Sequence, residues 1–351
     1  MDLGDLIYNA IGQGDTLNNL RGEYQALPRA TQKKWLRKAL KREFLLYLTG
    51  QKLLQRQRLP DGALKMLWFY DSNPLGDSIM DLSQRFALPE RITLDAYIPN
   101  GPAALFRDDA RFNQIYTDLK DVPRDYDFIL IHSISSTSLG TKLLNFFSTP
   151  WAATMNHQQG EQYSRVHFTA ARLGQLLGRP FHPIRPRLTA PEGATQRQRN
   201  IVVALGGEDA RRRYHFWPEV LAQIVQQVGP DHTPRFTLMG SGSPAKEDLA
   251  RFTPNFLNAY ADVAFNLPNL AALKTAIARS GYFMGCDSGL MHLAEAYDKP
   301  GIALFGNIRP EWRLLPESKL LSLFDPATVN NLAPADVAAQ FVVVYRASMP
   351  N

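Results

Sequence analysis

Short apolar runs, each closed by a Gly- or Asp-rich turn and followed by a helical stretch, recur along this chain and restrict it to few folds. Met66–Tyr70 (MLWFY) runs into Asp71-Ser72-Asn73-Pro74, and helical spacing follows from about Gly76 to Phe86. Ile92–Ile98 and Asp127–His132 repeat the apolar run. Further on, Asn200–Leu205 ends in Gly206-Gly207, Arg235–Met239 in Gly240 and Gly301–Phe305 in Gly306, with Gly281–Met284 among them. Helical stretches read at Trp217–Val228, Asn269–Arg279 and Ser288–Tyr297. Unbroken apolar runs suit strands buried on both faces. Their alternation with helices predicts an α/β fold with mainly parallel sheets and helices on both sides.

The pattern stops and restarts across residues 179–200, RPFHPIRPRLTAPEGATQRQRN, which carry four prolines and no apolar periodicity. The expected organisation is therefore two Rossmann-like doubly wound domains, 66–180 and 200–332, joined by a linker at 181–199. A basic helical extension, 1–65, precedes them. A last helix in 333–351 follows, with a return to the first domain as one option. In doubly wound sheets ligands bind beyond the carboxyl ends of the strands. The loops after Tyr70, Leu205, Met239, Met284 and Phe305 are thus where function is expected.

The charge is uneven. Of 39 Lys/Arg and 33 Asp/Glu, residues 1–65 hold twelve and six, which leaves the remainder balanced. Within this segment Leu36, Leu40, Phe44, Tyr47 and Leu48 fall at helical spacing, and Lys33, Lys34, Arg37, Lys38, Lys41 and Arg42 fall mostly on another face. Two readings are open. One is peripheral contact of residues 33–48 with an anionic membrane. The other is a helical layer on the first domain with a solvated basic face. No apolar run reaches the roughly 18 residues of a spanning helix. The first residues lack the pattern of a signal peptide, so a cytoplasmic protein is expected, with the inner face of the cytoplasmic membrane as the extension of that reading. The lone Cys286 has no internal disulfide partner. No histidine cluster has metal-ligand spacing, and the basic helix lacks the fold context of a nucleic-acid reader.

Residues 281–312 are the densest in candidate chemistry. Asp287 and Ser288 open a helix after a strand, and either can cap free backbone N–H groups. The same N–H groups attract phosphate, and Gly289 lets a ligand come close. His292 lies one turn beyond Ser288. Spacing alone leaves a phosphate site and a capped helix with a packed histidine equally open. After the first strand, Gly76, Asp77 and Ser78 place a carboxylate near a helix start, where it is a favourable charge beside the helix dipole. Before Trp217-Pro218, Gly206, Arg213 and His215 form either a phosphate-pairing group or an exposed charged loop. Glu247, beyond the turn Gly240–Pro244, is either a ribose ligand or part of a solvated helix start. His132 ends a strand on the ligand side, and a structural role is an equal reading. No Cys/His signature surrounds Cys286.

The run Asp287-Ser288-Gly289-Leu290-Met291-His292-Leu293-Ala294, then Lys299-Pro300 and Ala303-Leu304-Phe305-Gly306, closely resembles the signature of the bacterial heptosyltransferases, glycosyltransferase family 9. The resemblance covers roughly residues 65–330. It implies two Rossmann-like domains facing across a cleft (the GT-B arrangement) and inverting transfer from an ADP-heptose-like donor to a lipopolysaccharide core or related glycan. It implies that Asp287, Ser288, Gly289 and His292 face the donor, that Asp77 is the general base, and that Glu247 binds the nucleoside. It also implies a reaction without metal or cofactor. Where the family often has a Lys two residues before Trp-Pro, this chain has His215, so either His215 or Arg213 replaces that charge. Two alternatives stay open: another nucleotide sugar or a protein acceptor on the same fold, and a non-catalytic binding protein.

Overall fold

Among the described residues eleven strands form and all of them pair in parallel, so each central strand is covered on both faces and reads as continuously apolar. In the computed structural model the described residues are 22, 24–155, 163–180, 182–191, 197–267 and 269–347. The chain divides into two units, Met1–Ile184 and Arg185–Asn351. The division falls within the proline-rich stretch.

The first unit begins with helix α1 (Arg29–Leu48), followed by a short helical turn at Gln51–Leu54. Its sheet has β1 (Leu64–Phe69), β2 (Ile92–Tyr97), β3 (Gln114–Tyr116), β4 (Phe128–Ser133) and β5 (Trp151–Met155), in the order β3-β2-β1-β4-β5. Helices α2 (Leu75–Asp81), α3 (Asn100–Phe106), α4 (Ser136–Asn145) and α5 (Arg165–Leu177) connect or flank the strands. The helical stretch expected from Gly76 to Phe86 is α2 continued by a 3-10 segment, Leu82–Ala87. β1 lies between β2 and β4, so the strand order reverses there and opens a crevice at their carboxyl ends.

Helix α1 corrects the face expected for it. Ala39 and Leu46 are its buried residues, whereas Leu40, Phe44, Tyr47 and Leu48 are exposed. The reason lies in what the helix meets. Leu46 joins the cluster of Leu67, Ile129 and Trp151, and Ala39 joins Met155, Tyr163 and Phe168. Those contacts select a narrow stripe at i, i+7, and the richer apolar stripe faces outward. The rest of the expected helical extension, residues 1–21 and 23, lies outside the described residues.

The second unit has β6 (Arg197–Ala204), β7 (Arg235–Gly240), β8 (Ala261–Phe265), β9 (Ser280–Cys286), β10 (Gly301–Gly306) and β11 (Leu320–Asp325), in the order β11-β10-β9-β6-β7-β8. Its helices are α6 (Trp217–Val228), α7 (Gly242–Leu249), α8 (Pro254–Tyr260), α9 (Leu270–Arg279), α10 (Gly289–Ala296) and α11 (Pro334–Ala347). Here the reversal falls between β6 and β9. The last helix, α11, packs within this unit. Val337, Phe341 and Tyr345 join the core of Ile201, Trp217 and Met284. The Tyr345 hydroxyl donates to the carbonyl of His232 at 3.0 Å. No helix among the described residues is long and apolar enough to cross a membrane.

Candidate functional site

In the second unit the two loops at the strand-order reversal carry most of the candidates. β9 delivers Asp287 directly beyond its last residue, and the Asp287 N–H donates to the carbonyl of Leu304 at 3.0 Å. The helix cap is Ser288 and not Asp287. Ser288 has extended backbone, and its Oγ accepts the N–H of Met291 at 3.4 Å. The Asp287 carboxylate is thereby left for side chains. Arg212 approaches it at 3.2 Å, Arg313 at 3.7 Å and His292 Nε2 at 3.7 Å. A nearly buried carboxylate facing two guanidinium groups is a paired charge, and the outer edges of those cations can meet an anion. The Arg212 side chain stays 26% exposed, which leaves donors for such a partner.

Gly306 holds this group together from β10. A Cβ there would lie 2.3 Å from the carbonyl of Arg211 and 2.8 Å from the N–H nitrogen of Val329. The glycine lets the Arg211–Arg212 turn rest directly on the strand end.

The second cluster centres on Asp248, which is 2% exposed. Its carboxylate accepts the Gly206 N–H at 3.0 Å and the Arg213 guanidinium at 2.8 and 3.0 Å, and His215 Nδ1 lies 3.4 Å away. Arg213 also donates to the Pro244 carbonyl at 2.8 Å and pairs with Glu247 at 2.9 Å. The hydrogen bond to Asp248 is the main cause holding the Arg213 pKa above its ordinary value. Gly206 takes the left-handed φ of +85° that this tight turn needs. So Gly206, Arg213, His215 and Glu247 do come together, but around the carboxylate of Asp248, the neighbour of the candidate Glu247. Arg213 is committed to it.

Beside these loops lies a cavity of about 650 Å³, within the range of small-ligand sites. Ala264, Leu267, Leu270 and Leu290 supply apolar lining, and Glu208 and Asn266 supply polar groups.

Two candidates have scaffold tasks. Lys299 buries its ammonium against the carbonyls of Ala278 and Ser280, at 2.6 and 2.7 Å, and so closes the carboxyl end of α9. Burial pushes its pKa down to about 8. Cys286 is buried and its thiol is pushed up to about 12 by desolvation, which removes the thiolate a nucleophile needs.

In the first unit Asp77 sits in the first turn of α2 with its side chain 34% exposed. Arg165 Nη1 lies 3.4 Å from it. The same guanidinium grips Asp81 at 2.5 and 2.9 Å, and the Tyr70 hydroxyl donates to Asp81 at 3.2 Å. His132 packs edge-on against Tyr70, its Nδ1 3.8 Å from Asp81 and beyond hydrogen-bond reach. Burial, aided by Arg165, pushes the His132 pKa down to about 4, so the ring is neutral near pH 7. Gly76 begins the turn beside Asp77. Ser78 is buried and donates to the carbonyl of Leu75 at 2.8 Å. The sequence brought out Asp77 and His132 but not Arg165 or Asp81. Asp81 carries a usable signal, four residues after Asp77 on the same helix face. Among the described residues no group of three or more His, Cys, Asp or Glu is arranged to hold a metal ion.

The model of glycosyltransferase family 9 (heptosyltransferase) matches residues 175–322. The structure of a family 9 glycosyl transferase from Veillonella parvula DSM 2008 superposes with a TM-score of 0.64 at 11% identity, covering 82% of this chain and 99% of that one. E. coli heptosyltransferase WaaC with ADP gives 0.61 at 15% identity, covering 80% and 99%. E. coli ADP-heptose lps heptosyltransferase II gives 0.59 at 18% identity, covering 81% and 99%. No curated protein matches by sequence. At these identities the structural likeness establishes the fold. The family 9 match over residues 175–322, set on two doubly wound units, marks this chain as a glycosyltransferase. The part of the chain that carries the likeness to glycosyltransferase family 9, the heptosyltransferases, is residues 175–322.

Proposed function

We propose that the chain transfers a heptose-like sugar, with inversion, from an ADP-sugar to a lipopolysaccharide core or related glycan. The observation that carries this reading is Asp287 held by Arg212 and Arg313 at the start of α10, in the unit that contains the 650 Å³ cavity. The nucleoside of the donor occupies that cavity. Its diphosphate meets Arg212 and the N–H groups at Ser288 and Gly289, which head an eight-residue helix. His292 supports Asp287. Glu247 and His215 line the approach through the Asp248 cluster.

Asp77 is the general base. It takes the proton of the acceptor hydroxyl as that oxygen attacks the anomeric carbon, and the bond from that carbon to the diphosphate oxygen breaks. ADP leaves with the electron pair, steadied by fixed donors that are each worth roughly 3 kcal/mol when well placed. No metal or further cofactor takes part in this scheme. The reaction requires the base of the first unit to reach the donor of the second, and exclusion of water then protects the donor from hydrolysis. The acceptor is lipid-linked and is met at the inner face of the cytoplasmic membrane, with residues 33–48 as the peripheral contact.

A second reading, a different nucleotide sugar or a protein acceptor, is favoured by one observation. The family's phosphate-pairing Lys is absent, and Arg213 is committed to Asp248. Thermal-shift measurements with ADP, UDP, GDP and CDP separate the two. A shift selective for ADP, followed by turnover of ADP-heptose, supports the first; selectivity for another nucleotide supports the second.

A further inference from the structure

Helix α1 divides its charged and apolar residues along its axis rather than around it. On the outward side, Lys33, Lys34, Arg37, Lys38 and Lys41 are exposed in the first part. Phe44, Tyr47 and Leu48 are exposed in the last part, at 63%, 77% and 64%. The apolar surface continues beyond the helix. Leu53 is 80% exposed, and Gln51, two residues earlier, donates to the carbonyl of Phe147, itself 55% exposed. The helix holds seven Lys/Arg against one acidic residue, Glu43, and that residue is paired with Lys52 at 2.7 Å. Large exposed apolar side chains behind a basic collar need an anionic partner with an apolar interior, which is the composition of a charged lipid surface.

A cavity of about 260 Å³ opens beside the collar, lined by Lys38, Lys41, Arg42, Leu45, Ser135 and Ser136. Arg42 is fixed at its wall by donation to the Ile134 carbonyl at 2.5 Å and the Lys38 carbonyl at 3.3 Å. Three cations and two hydroxyls around a small space suit a phosphate group. The cavity also belongs to the carboxyl edge of the first sheet. Ser135, in the β4–α4 turn, and Ser138, in the first turn of α4, donate to Asp71 at 3.3 and 2.7 Å, and Asp71 begins the loop that leads to Asp77.

We propose that α1 docks this enzyme on an anionic lipid surface, with Phe44, Tyr47, Leu48 and Leu53 entering the boundary between headgroups and acyl chains and the Lys38–Lys41–Arg42 cavity receiving a headgroup phosphate. This deepens the functional reading above and rests on it for the membrane-bound acceptor. The contact is one-sided and reversible, because the helix is too polar to span the bilayer.

The test is co-sedimentation of the full chain with vesicles of phosphatidylcholine alone and of equimolar phosphatidylcholine and phosphatidylglycerol. Wild type partitions onto the mixed vesicles and not onto the neutral ones, and high salt releases it. The double variants K38E/K41E and F44S/L48S change only surface-exposed side chains and keep the wild-type circular dichroism, yet each loses about tenfold or more of the bound fraction. If a charge-reversal variant fails to fold, K38Q/K41Q replaces it with the same expected direction. Equal binding by wild type and both variants, or equal binding to neutral vesicles, overturns the proposal. So does a wild type that ignores vesicles and forms dimers that F44S/L48S dissolves, since the patch is then an interface between copies. An ADP thermal shift run on the same samples is unaffected by these variants. Its loss in wild type counts against the donor reading alone.

Discussion

Arg212 and Arg213 are neighbours in sequence with opposite tasks. Arg213 closes an ion pair with the 2%-exposed carboxylate of Asp248, so Arg213→Ala leaves a buried charge without its main partner. The expected cost is on the order of 3 kcal/mol of stability, read as a lower urea midpoint. Arg212 faces Asp287 from a more open position. Arg212→Ala leaves Asp287 with Arg313, so it is expected to cost less stability than Arg213→Ala and to weaken ADP binding roughly tenfold or more by titration calorimetry. The reverse outcome, stability lost with Arg212 and affinity lost with Arg213, would exchange their roles. Cys286 gives a third check at this scale. A buried thiol pushed up to about 12 reacts with a thiol reagent at pH 8 only after unfolding. Rapid modification of the native chain would contradict that burial.

At the scale of elements, the β4 end and helix α5 set a pH dependence. His132 has a pKa near 4 in the folded chain against 6.5 as its ordinary value. The unfolded chain therefore binds the proton first as pH falls. The stability from keeping this ring neutral is fully present above about pH 6.5 and is lost between there and pH 4, roughly 3 kcal/mol in total. Urea unfolding from pH 7 to pH 4.5 reads it as a falling midpoint, and His132→Gln flattens the slope. An unchanged slope in that variant would move the acid sensitivity elsewhere. These elements also show what was legible in advance. The central strands were readable because burial on both faces writes an apolar run. The short edge strand Gln114–Tyr116 has no such run. The Asp287–Gly306 stretch was readable because one local segment carries both loop and helix start. Arg165 was not, since it meets Asp81 across 84 residues of chain. Nor was the buried side of α1, because periodicity offers two stripes and only the contacts of Ala39 and Leu46 choose between them.

At the scale of the whole molecule, the two units divide the chemistry. The second carries a cavity of about 650 Å³ and paired cations, and the first carries a carboxylate one-third exposed beside the Arg165–Asp81 pair. The Arg165–Asp81 pair locks the first unit's site from beneath, so an Asp77→Asn change should leave the fold intact. The proposed scheme separates donor affinity from turnover, with each in a different unit. The measurement that tests this most directly follows ADP-heptose turnover and the ADP thermal shift together for wild type and Asp77→Asn. The account predicts an ADP-selective shift of equal size in both proteins, with turnover lower in the variant by about a hundredfold or more. Turnover that survives in Asp77→Asn, or a wild type stabilised by another nucleotide and not by ADP, would contradict it.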